Sequence, residues 1–361
     1  MRVKLEDVCE RGTSSLMQKD IVDKNGKYPV YGASGRIGSM ETYQQEHQTV
    51  AVVKDGAGIG RTMLLPEKSS VIGTMQYLIP KNCIESEYLY YVVKYMHLEK
   101  YFSGATIPHI YFRDYKTEEF NLHDKTEQRE IVSTLKRIEA IISNRQEQLT
   151  KLDELVKARF VEMFGDPKLN PYRFPCNSLS TYITFLTSGS RGWSQYFTDS
   201  GEYFITIKNV KNCKITLQDV QYVAPPDNAE AKRTKVQKND LLISITADLG
   251  RTGVVTEEIA NHGAYINQHL TCIRLKDEQV NPLYVAYYME SDAGKEQFTA
   301  KNQSAVKAGL NFNAINSLKL MAPPLSLQNQ FADFAAEVDK SKLFVELFAQ
   351  STCILAENRS K

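Results

Sequence analysis

Side chains that can hydrogen-bond to a nucleic-acid base or phosphate lie on glycine-rich segments in both halves of the sequence. Arginine commonly pairs with guanine, and asparagine or glutamine with adenine, in reading base edges. Nearby glycine lets a loop approach a duplex closely. Such residues also serve as solvated surface groups or local caps, so both interpretations stay open for each one. The candidates are Ser34, Arg36, Lys54, Arg61, Gln76 and His109 in the first half, and Ser190, Arg191, Lys208, Asn209, Arg251, Gln268 and Lys307 in the second.

Enzyme motifs are incomplete in this sequence. NPY at residues 170–172 resembles the Asn-Pro-Pro-Tyr signature of adenine methyltransferases, but one proline is missing, and we interpret it as a turn after a helix. The glycines of residues 56–60 lack the G-x-G-x-x-G spacing, and the histidines lack a metal-binding spacing such as H-E-x-x-H. PDNAEAK at residues 226–232 resembles a nuclease motif, but its acidic residues are too close together for two strands. We therefore predict no catalytic residues, no metal site and no cofactor in this chain.

Two segments carry long heptad patterns that predict paired helices. An ordinary helix in a globular core is the alternative for either segment alone, but length and strict spacing favour helix pairing. The second segment is shorter and has polar residues at some of the heptad positions that would face the partner helix, which form the seam. Whether this second helix is complete stays open. The seam positions are Ile131, Leu135, Ile138, Ile142, Arg145, Leu149, Leu152, Val156, Arg159 and Met163 in the first segment, and Phe331, Phe334, Val338, Ser341, Val345, Phe348, Thr352 and Leu355 in the second.

The helical segments and the sequences before them form an internal repeat. Gln128 matches Gln328 at an offset of about 200 residues, and residues 60–62 match residues 250–252 at a smaller offset. Residues 52–53 then align with residues 242–243. Ordered matches with a steadily changing offset indicate one duplicated unit whose loops differ in length. The match of Arg61 with Arg251 is compatible with ligand binding or with a shared structural role.

The repeat predicts two similar globular domains of the α/β (α+β) class, separated by two long helices. Short β-rich runs alternate with turn residues and helical segments in each domain. We place the domains at residues 1–122 and 167–324, and the helices at residues 123–166 and 325–361. The heptad patterns predict that the two helices pair as a coiled coil.

The net charge of +1 is lower than that of a typical autonomous DNA-binding protein. Phosphate contacts would therefore need local basic clusters or partner subunits. The sequence has no apolar run long enough to span a membrane and no apolar signal segment, so we expect a cytoplasmic location. The six cysteines are scattered without a C-x-x-C pair, which predicts reduced, mostly buried thiols.

Several runs resemble the specificity (S) subunit of type I restriction-modification systems, and the resemblance covers essentially the whole chain. EQREI at residues 127–131 resembles the start of the helical region of that family. Runs that resemble one class of target recognition domain are YPVYGASGRIG (28–38), KDGAGIGR (54–61), GTMQYL (73–78) and IPHIYF (107–112). Runs that resemble another class of that domain are SGSRGWS (188–194) and AYINQHL (264–270).

The resemblance implies a non-catalytic chain in which each target recognition domain reads one half of a split, asymmetric site on double-stranded DNA. The two helices would pack antiparallel as a coiled-coil spacer, with the domains at opposite ends, and would dock two modification (methyltransferase) subunits. Two half-sites about one DNA turn apart, roughly 34–36 Å, would then be within reach. Those partners would bind S-adenosylmethionine and methylate adenine, and restriction subunits would join to cleave DNA. A free-standing enzyme such as a nuclease is disfavoured because nucleotide and metal motifs are missing. A coiled-coil scaffold without a DNA role is disfavoured because it does not need paired glycine-rich loops.

Overall fold

A computed structural model describes residues 1–21, 26–104, 108–303 and 309–360, with the side chains of the last helix described up to residue 343. The chain divides into two compact units. Unit 1 comprises residues 1–146 and 346–361, and unit 2 comprises residues 147–345. This division cuts both long helices, whereas the sequence analysis placed the domain limits at the helix ends, at residues 122, 166 and 324. Those limits stay predictions.

Unit 1 contains a mixed α/β domain followed by the first part of a long helix. Its strands are β1 (Arg2–Lys4), β2 (Cys9–Thr13), β3 (Tyr28–Gly32), β4 (Gly35–Met40), β5 (Thr49–Val53), β6 (Thr62–Leu65), β7 (Ser70–Val71), β8 (Met75–Pro80) and β9 (Glu119–Asn121). Its helices are α1 (Leu5–Val8), α2 (Ser86–Tyr95), α3 (Phe112–Tyr115) and α4 (Lys125–Phe164), of which α4 continues into unit 2.

The centre of unit 1 is an antiparallel sheet with strand order β2-β8-β5-β6. Its strand β5 is buried on both faces, which suits its β-branched sequence TVAVV. Because successive side chains of a strand point to opposite faces, Val50 and Val52 pack toward α2, whereas Ala51 and Val53 pack toward β3 and β7. The strands β4, β3 and β7 form a second sheet in which β3 and β7 are parallel.

Unit 2 contains a second mixed α/β domain and the first part of the C-terminal helix. Its strands are β10 (Cys176–Ser178), β11 (Ile183–Ser188), β12 (Phe197–Thr198), β13 (Glu202–Ile205), β14 (Val210–Lys211), β15 (Lys214–Ile215), β16 (Gln221–Val223), β17 (Leu241–Ser244), β18 (Thr252–Val254), β19 (Ala264–Ile266), β20 (Leu270–Leu275) and β21 (Lys319–Met321). Its helices are α5 (Ala229–Thr234), α6 (Glu257–His262), α7 (Pro282–Glu290), α8 (Asp292–Gln303), α9 (Phe312–Asn316) and α10 (Leu325–Ser360).

Three parts of the sheet arrangement of unit 1 recur in unit 2, whose second sheet has the order β12-β16-β13-β19 and which also has the pair β14-β15. The central sheet has the order β11-β20-β17-β18 and is antiparallel throughout, like β2-β8-β5-β6. The two-stranded pair β10-β21 corresponds to β1-β9, and the parallel pair β13-β19 corresponds to β3-β7. The predicted internal repeat is therefore confirmed at the level of strand order and direction.

The strand pairing corrects one alignment in the repeat. Val52 pairs with Thr62, and Ile243 pairs with Thr252. Since Thr62 and Thr252 are equivalent, Val52 corresponds to Ile243 and not to Leu242, because the hairpin loop of unit 2 is one residue shorter. A shift of one residue would exchange the two faces of the strand. Ile243 indeed packs toward α7, as Val52 packs toward α2.

A buried glutamine fixes the start of each long helix to its globular domain. The Gln128 side chain accepts a hydrogen bond from the backbone N–H of Glu85 (2.9 Å) and donates to the carbonyls of Cys83 and His123. The Gln328 side chain likewise accepts from the backbone N–H of Asn281 (2.9 Å) and donates to the carbonyl of Pro323. Glu85 and Asn281 cap α2 and α7, so the matched glutamines have the same structural role.

The two long helices pack antiparallel within unit 2. The ring of Phe160 on α4 lies 5.3 Å from the ring of Phe331 on α10, centroid to centroid. Further toward the start of α4, Asp153 contacts Lys342, which lies later on α10. Arg159, a charged interruption of the predicted seam, stacks its guanidinium 5.7 Å from the ring of Phe334. The predicted antiparallel pairing is confirmed in this unit.

The seam of α10 differs from the prediction after Val338. Ser341 is exposed, whereas Lys342 is buried. The apolar stem of a lysine can cover a helix interface while its ammonium group reaches a charged partner. The ammonium of Lys342 contacts Asp153 and lies 3.5 Å from a carboxylate oxygen of Asp339. Expecting Ser341 in the seam was therefore wrong by one position.

None of the helices in the described part of the chain has an apolar stretch sufficient to cross a membrane. Five cysteines are described and are free thiols. Cys9, Cys213 and Cys272 are buried, whereas Cys83 and Cys176 are exposed. Burial raises the pKa of the Cys9 thiol to about 12.

Replacing either buried glutamine should destabilise the chain. We expect Gln128→Leu and Gln328→Leu each to lower the free energy of unfolding by roughly 1–3 kcal/mol, because a helix-capping backbone N–H loses its acceptor. Urea denaturation followed by circular dichroism measures the change. Gln330→Leu, at an exposed position of α10, is the matched control and should leave the midpoint nearly unchanged. Equal effects of all three substitutions would contradict the anchoring role.

Candidate nucleic-acid interface

In unit 1 three segments that carry candidate residues meet at one surface. The loop of residues 54–61 joins β5 to β6, and Arg61 donates a hydrogen bond from Nη1 to the carbonyl of Ala33 (2.8 Å) in the β3-β4 turn. The backbone N–H of Ile110 donates to the carbonyl of Lys54 (2.9 Å), which holds the segment before α3 against the same loop. Ser34 and Arg36 are exposed in the β3-β4 hairpin.

A carboxylate lies at the centre of this surface. Asp55 is 3.0 Å from the ammonium of Lys54 and 2.7 Å from Nδ1 of His109. Sequence reasoning selected the lysine and the histidine but missed Asp55, although its position beside Lys54 was a signal. A carboxylate here neutralises part of the local positive charge and can accept a hydrogen bond from the amino group of cytosine.

An exposed aromatic residue borders the same surface and was also missed. Tyr111 is 44% exposed, and the guanidinium of Arg113 lies 4.8 Å from its ring centroid. The ring of His109 is stacked on it at 6.3 Å, centroid to centroid. The alternation of His109, Tyr111 and Arg113 along the chain was the available signal.

Gln76 is placed differently from the other candidates of unit 1. Its side chain is buried in β8 and donates a hydrogen bond to the hydroxyl of Tyr115 (2.8 Å). Burial raises the pKa of the Tyr115 phenol well above its usual range, so this hydroxyl stays protonated. Gln76 therefore supports the sheet from inside in this conformation and offers no polar group at the surface.

In unit 2 three loops meet at the corresponding place. The backbone N–H of Leu310 donates to the carbonyl of Ile245 (2.9 Å), as that of Ile110 does to Lys54. Ser190 follows β11 and is buried, with its hydroxyl 3.0 Å from the hydroxyl of Thr234. Its backbone accepts a hydrogen bond from the N–H of Gln268 and donates one to the carbonyl of Ile266. Ser190 thus fixes the loop and is not itself exposed.

Arg191 and Gln268 are in direct contact in this group of loops. Nε of Arg191 donates to Oε1 of Gln268. Nε2 of Gln268 lies 3.3 Å from Nε2 of His269, and Nδ1 of His269 lies 2.7 Å from the hydroxyl of Thr246. His269 and Thr246 were not among the sequence candidates, because neither type stands out without knowledge of which loops meet.

Trp193 packs beneath the Arg191 loop. It is 3% exposed and lies 5.9 Å from the ring of Phe204 and 5.3 Å from that of Tyr265, centroid to centroid. Its indole N–H donates to the carboxylate of Glu230 (3.2 Å). This carboxylate belongs to the PDNAEAK run of residues 226–232, so it has a structural partner.

The remaining candidates of unit 2 are not grouped with Arg191 by direct contacts. Asn209 is buried and accepts a hydrogen bond from the backbone N–H of Thr206 (3.0 Å), so it stabilises a turn, whereas its neighbour Lys208 is exposed. Arg251 forms an ion pair with Asp248 of its own loop. Arg61 instead contacts a carbonyl, so the matched arginines differ in their partners. Lys307 lies outside the described residues.

The motifs that resembled enzyme sites have structural positions. Asn170 of the NPY run follows α4 and its side chain bonds to both backbone groups of Phe174, in the predicted turn. Residues 56–60 form the β5-β6 hairpin loop and do not start a helix. Across the described ranges, no group of histidine, cysteine, aspartate and glutamate residues could hold a metal ion.

A family model for the type I restriction modification DNA specificity domain matches residues 1–153 and 194–345, which is most of the chain. The chain belongs to this family. Its members are specificity subunits, which are generally non-catalytic. The family assignment agrees with the resemblance found in the sequence. The first matched stretch includes the mixed α/β domain of unit 1, the second covers the domain of unit 2 from residue 194 onward, and each includes part of the adjoining helix.

One curated relative of this type I specificity chain is the type I restriction enzyme EcoBI specificity subunit of Escherichia coli. It is 20% identical over 132 residues, which is 36% of this chain and 27% of that protein. The match therefore spans about a quarter of the length of the relative.

Solved structures share the fold of this specificity chain. The S subunit of a type I restriction-modification system from M. genitalium aligns over 100% of this chain and 95% of that chain, with a TM-score of 0.61 and 15% identity. A second structure, which concerns complex assembly and conformational transition of the type I R-M system, aligns over 99% and 94% with a TM-score of 0.54 and 14% identity. These alignments confirm the predicted mixed α/β fold.

Removing the ring beneath Trp193 should loosen the Arg191 loop. We expect Phe204→Ala to lower the free energy of unfolding by about 3–5 kcal/mol, because it leaves a cavity in the core. Since Trp193 is the only tryptophan, quenching of its fluorescence by acrylamide reports on this loop alone and should increase. Tyr172→Ala removes an exposed aromatic residue and should change neither quantity. Unchanged quenching in Phe204→Ala would mean that this packing does not hold the loop.

Proposed function

We propose that this chain is the DNA-reading subunit of a type I restriction-modification complex, in which each globular domain reads one half of a bipartite, asymmetric site. One observation carries the proposal: the two domains share a strand order but present different polar groups from their surface loops. Unit 1 presents Lys54, Asp55 and His109 from the β5-β6 loop and the segment before α3, whereas unit 2 presents Arg191 and Gln268 from the segment after β11 and the β19-β20 loop. Different groups on one framework suit two different half-sites.

The proposed division of labour assigns chemistry to other subunits. Two modification subunits would dock on the long helices, bind S-adenosylmethionine and methylate adenine, and restriction subunits would join them for cleavage. Membership of a specificity-domain family supports this assignment. The net charge of +1 supports it as well, because partners can supply the phosphate contacts on which non-specific DNA affinity depends.

Reconstitution with the modification subunits tests the proposal. We expect the complex, and not the isolated chain, to methylate adenine with S-adenosylmethionine at one discontinuous DNA motif. Sequencing of modified bases in genomic DNA measures the motif. Cleavage or methylation by this chain alone would contradict the proposal and favour a free-standing enzyme. Methylation with the same motif when this chain is omitted would contradict a reading role.

Exchange of one domain should change one half of the motif. We expect replacement of residues 170–322 by the equivalent domain of another family member to alter one half-site and leave the other unchanged, because the domains carry separate loop surfaces. Modified-base sequencing of cells that express the chimaera measures the outcome. Exchange of residues 1–122 is the reciprocal control. A change in both halves from either exchange would contradict independent reading.

Lengthening a long helix should change the spacing between the half-sites. One additional heptad in α4 adds about 10 Å of helix, or about three base pairs of DNA. We expect the complex to require a longer gap or to fail to assemble, as measured by methylation of sites with gaps of different length. A seven-residue Gly-Ser insertion in the exposed loop after Pro66 is the matched control. An unchanged gap in the α4 variant would mean that the helix does not set the spacing.

A further inference from the structure

Arg191 projects from a short loop that is fixed on both sides. Ser190, just before it, is 2% exposed, and Trp193, two residues after it, is 3% exposed. Gly192 between them has a φ of +73°, a conformation that favours glycine. Since the backbone of Ser190 bonds to Ile266 and Gln268, the exposed Arg191 side chain starts from a rigid base.

The guanidinium of Arg191 is oriented by a chain of hydrogen bonds. Because Oε1 of Gln268 accepts from Nε of Arg191, the amide nitrogen of Gln268 faces His269 and donates to its Nε2 at 3.3 Å. An accepting Nε2 places the proton of a neutral imidazole on Nδ1, which then donates to the hydroxyl of Thr246 at 2.7 Å. Each side chain in this series therefore donates a hydrogen bond to the next one, from Arg191 to Thr246.

This arrangement leaves one edge of the guanidinium available. The contact described for Arg191 uses Nε, and the two terminal nitrogens have no hydrogen bond or ion pair within the described chain. Two other arginines of unit 2 differ, since Arg251 is paired with Asp248 and Arg233 donates to Thr187 and Ser188. Two parallel N–H groups on a planar fork match the O6 and N7 acceptors of guanine in the major groove.

We propose that Arg191 reads a guanine in the half-site of unit 2, and that His269 and Thr246 are positioning residues that orient it through Gln268. This inference rests on the proposed function and adds to it the base and the contacting atoms. A fixed guanidinium loses less rotational freedom on binding than a free one, so the hydrogen-bond chain increases discrimination as well as affinity.

A cycle of chemical and protein substitutions tests the contact. Each guanine of the unit 2 half-site is replaced in turn by 7-deazaguanine, which lacks the N7 acceptor, and DNA binding by the complex with modification subunits is titrated. For the unaltered chain, we expect 7-deazaguanine at one position to weaken DNA binding by about tenfold. With Arg191→Ala, substitution at that position should have no further effect. Arg173→Ala, at an exposed arginine in the turn after α4, is the matched control and should retain the tenfold sensitivity.

A second variant tests the positioning residues. Thr246→Val preserves size but removes the oxygen that accepts from Nδ1 of His269. We expect the sensitivity to 7-deazaguanine at the same position to decrease several-fold, with little change at other positions. If Thr246 only stabilised the fold, Thr246→Val would weaken binding equally for DNA substituted at any of the guanines. If Arg191→Ala binds too weakly to titrate, Thr246→Val provides the comparison by itself.

The outcomes separate this inference from the proposed function. A unit 2 half-site without guanine, or sensitivity to 7-deazaguanine that persists in Arg191→Ala and in Thr246→Val, would overturn the guanine contact while bipartite reading still stands. If exchange of residues 170–322 alters neither half of the motif, the proposed function itself fails. Sensitivity lost at one guanine in both variants, and retained in Arg173→Ala, supports the inference.

Discussion

In each unit a single buried carboxamide joins the long helix to the domain that precedes it. The glutamine near the start of the helix accepts a hydrogen bond from the residue that caps the packed helix of the domain, and it donates to carbonyls of the connecting segments. A backbone group buried without a partner is costly, so the amide holds three parts of the chain in one geometry. Together with ion pairs and apolar packing between α4 and α2 in unit 1, this contact fixes the direction in which a domain projects from its long helix, and hence the placement of its loops.

The sequence predicted those features that depend on local spacing. The repeat, the long helices and their pairing follow from residue types at fixed intervals, and Gln128 and Gln328 were matched before their role was known. The seam of α10 was misassigned at Ser341, because the interface position there is taken by Lys342, which reaches a carboxylate on another helix. Such a partner cannot be inferred from periodicity alone.

The candidate interface was only partly predictable for a related reason. Residue type suggests which side chains can read a base, but burial decides which ones reach the surface. Gln76, Ser190 and Asn209 have suitable types and are occupied inside their domains. Asp55 and Asp248 were missed although they pair with Lys54 and Arg251. These carboxylates neutralise part of the positive charge of their own loops, and they weaken non-specific attraction to phosphates. Specificity then depends more on oriented groups than on total charge.

In unit 2 the alignment of one long helix along the other depends on the charge of Lys342 as well as on apolar packing. Its stem is buried, and its ammonium lies between Asp153 on one helix and Asp339 on the other. Sliding one helix by a single turn, about 5.4 Å, would separate the ammonium from Asp153. The ammonium would then keep only Asp339, on its own helix, as a partner, and removing a partner of a buried charge is destabilising. Alternative alignments of the helices are thereby disfavoured. Under the proposed function, a substitution at this ion pair acts on the spacing of the DNA sites that are accepted, although it lies far along the chain from the candidate loops.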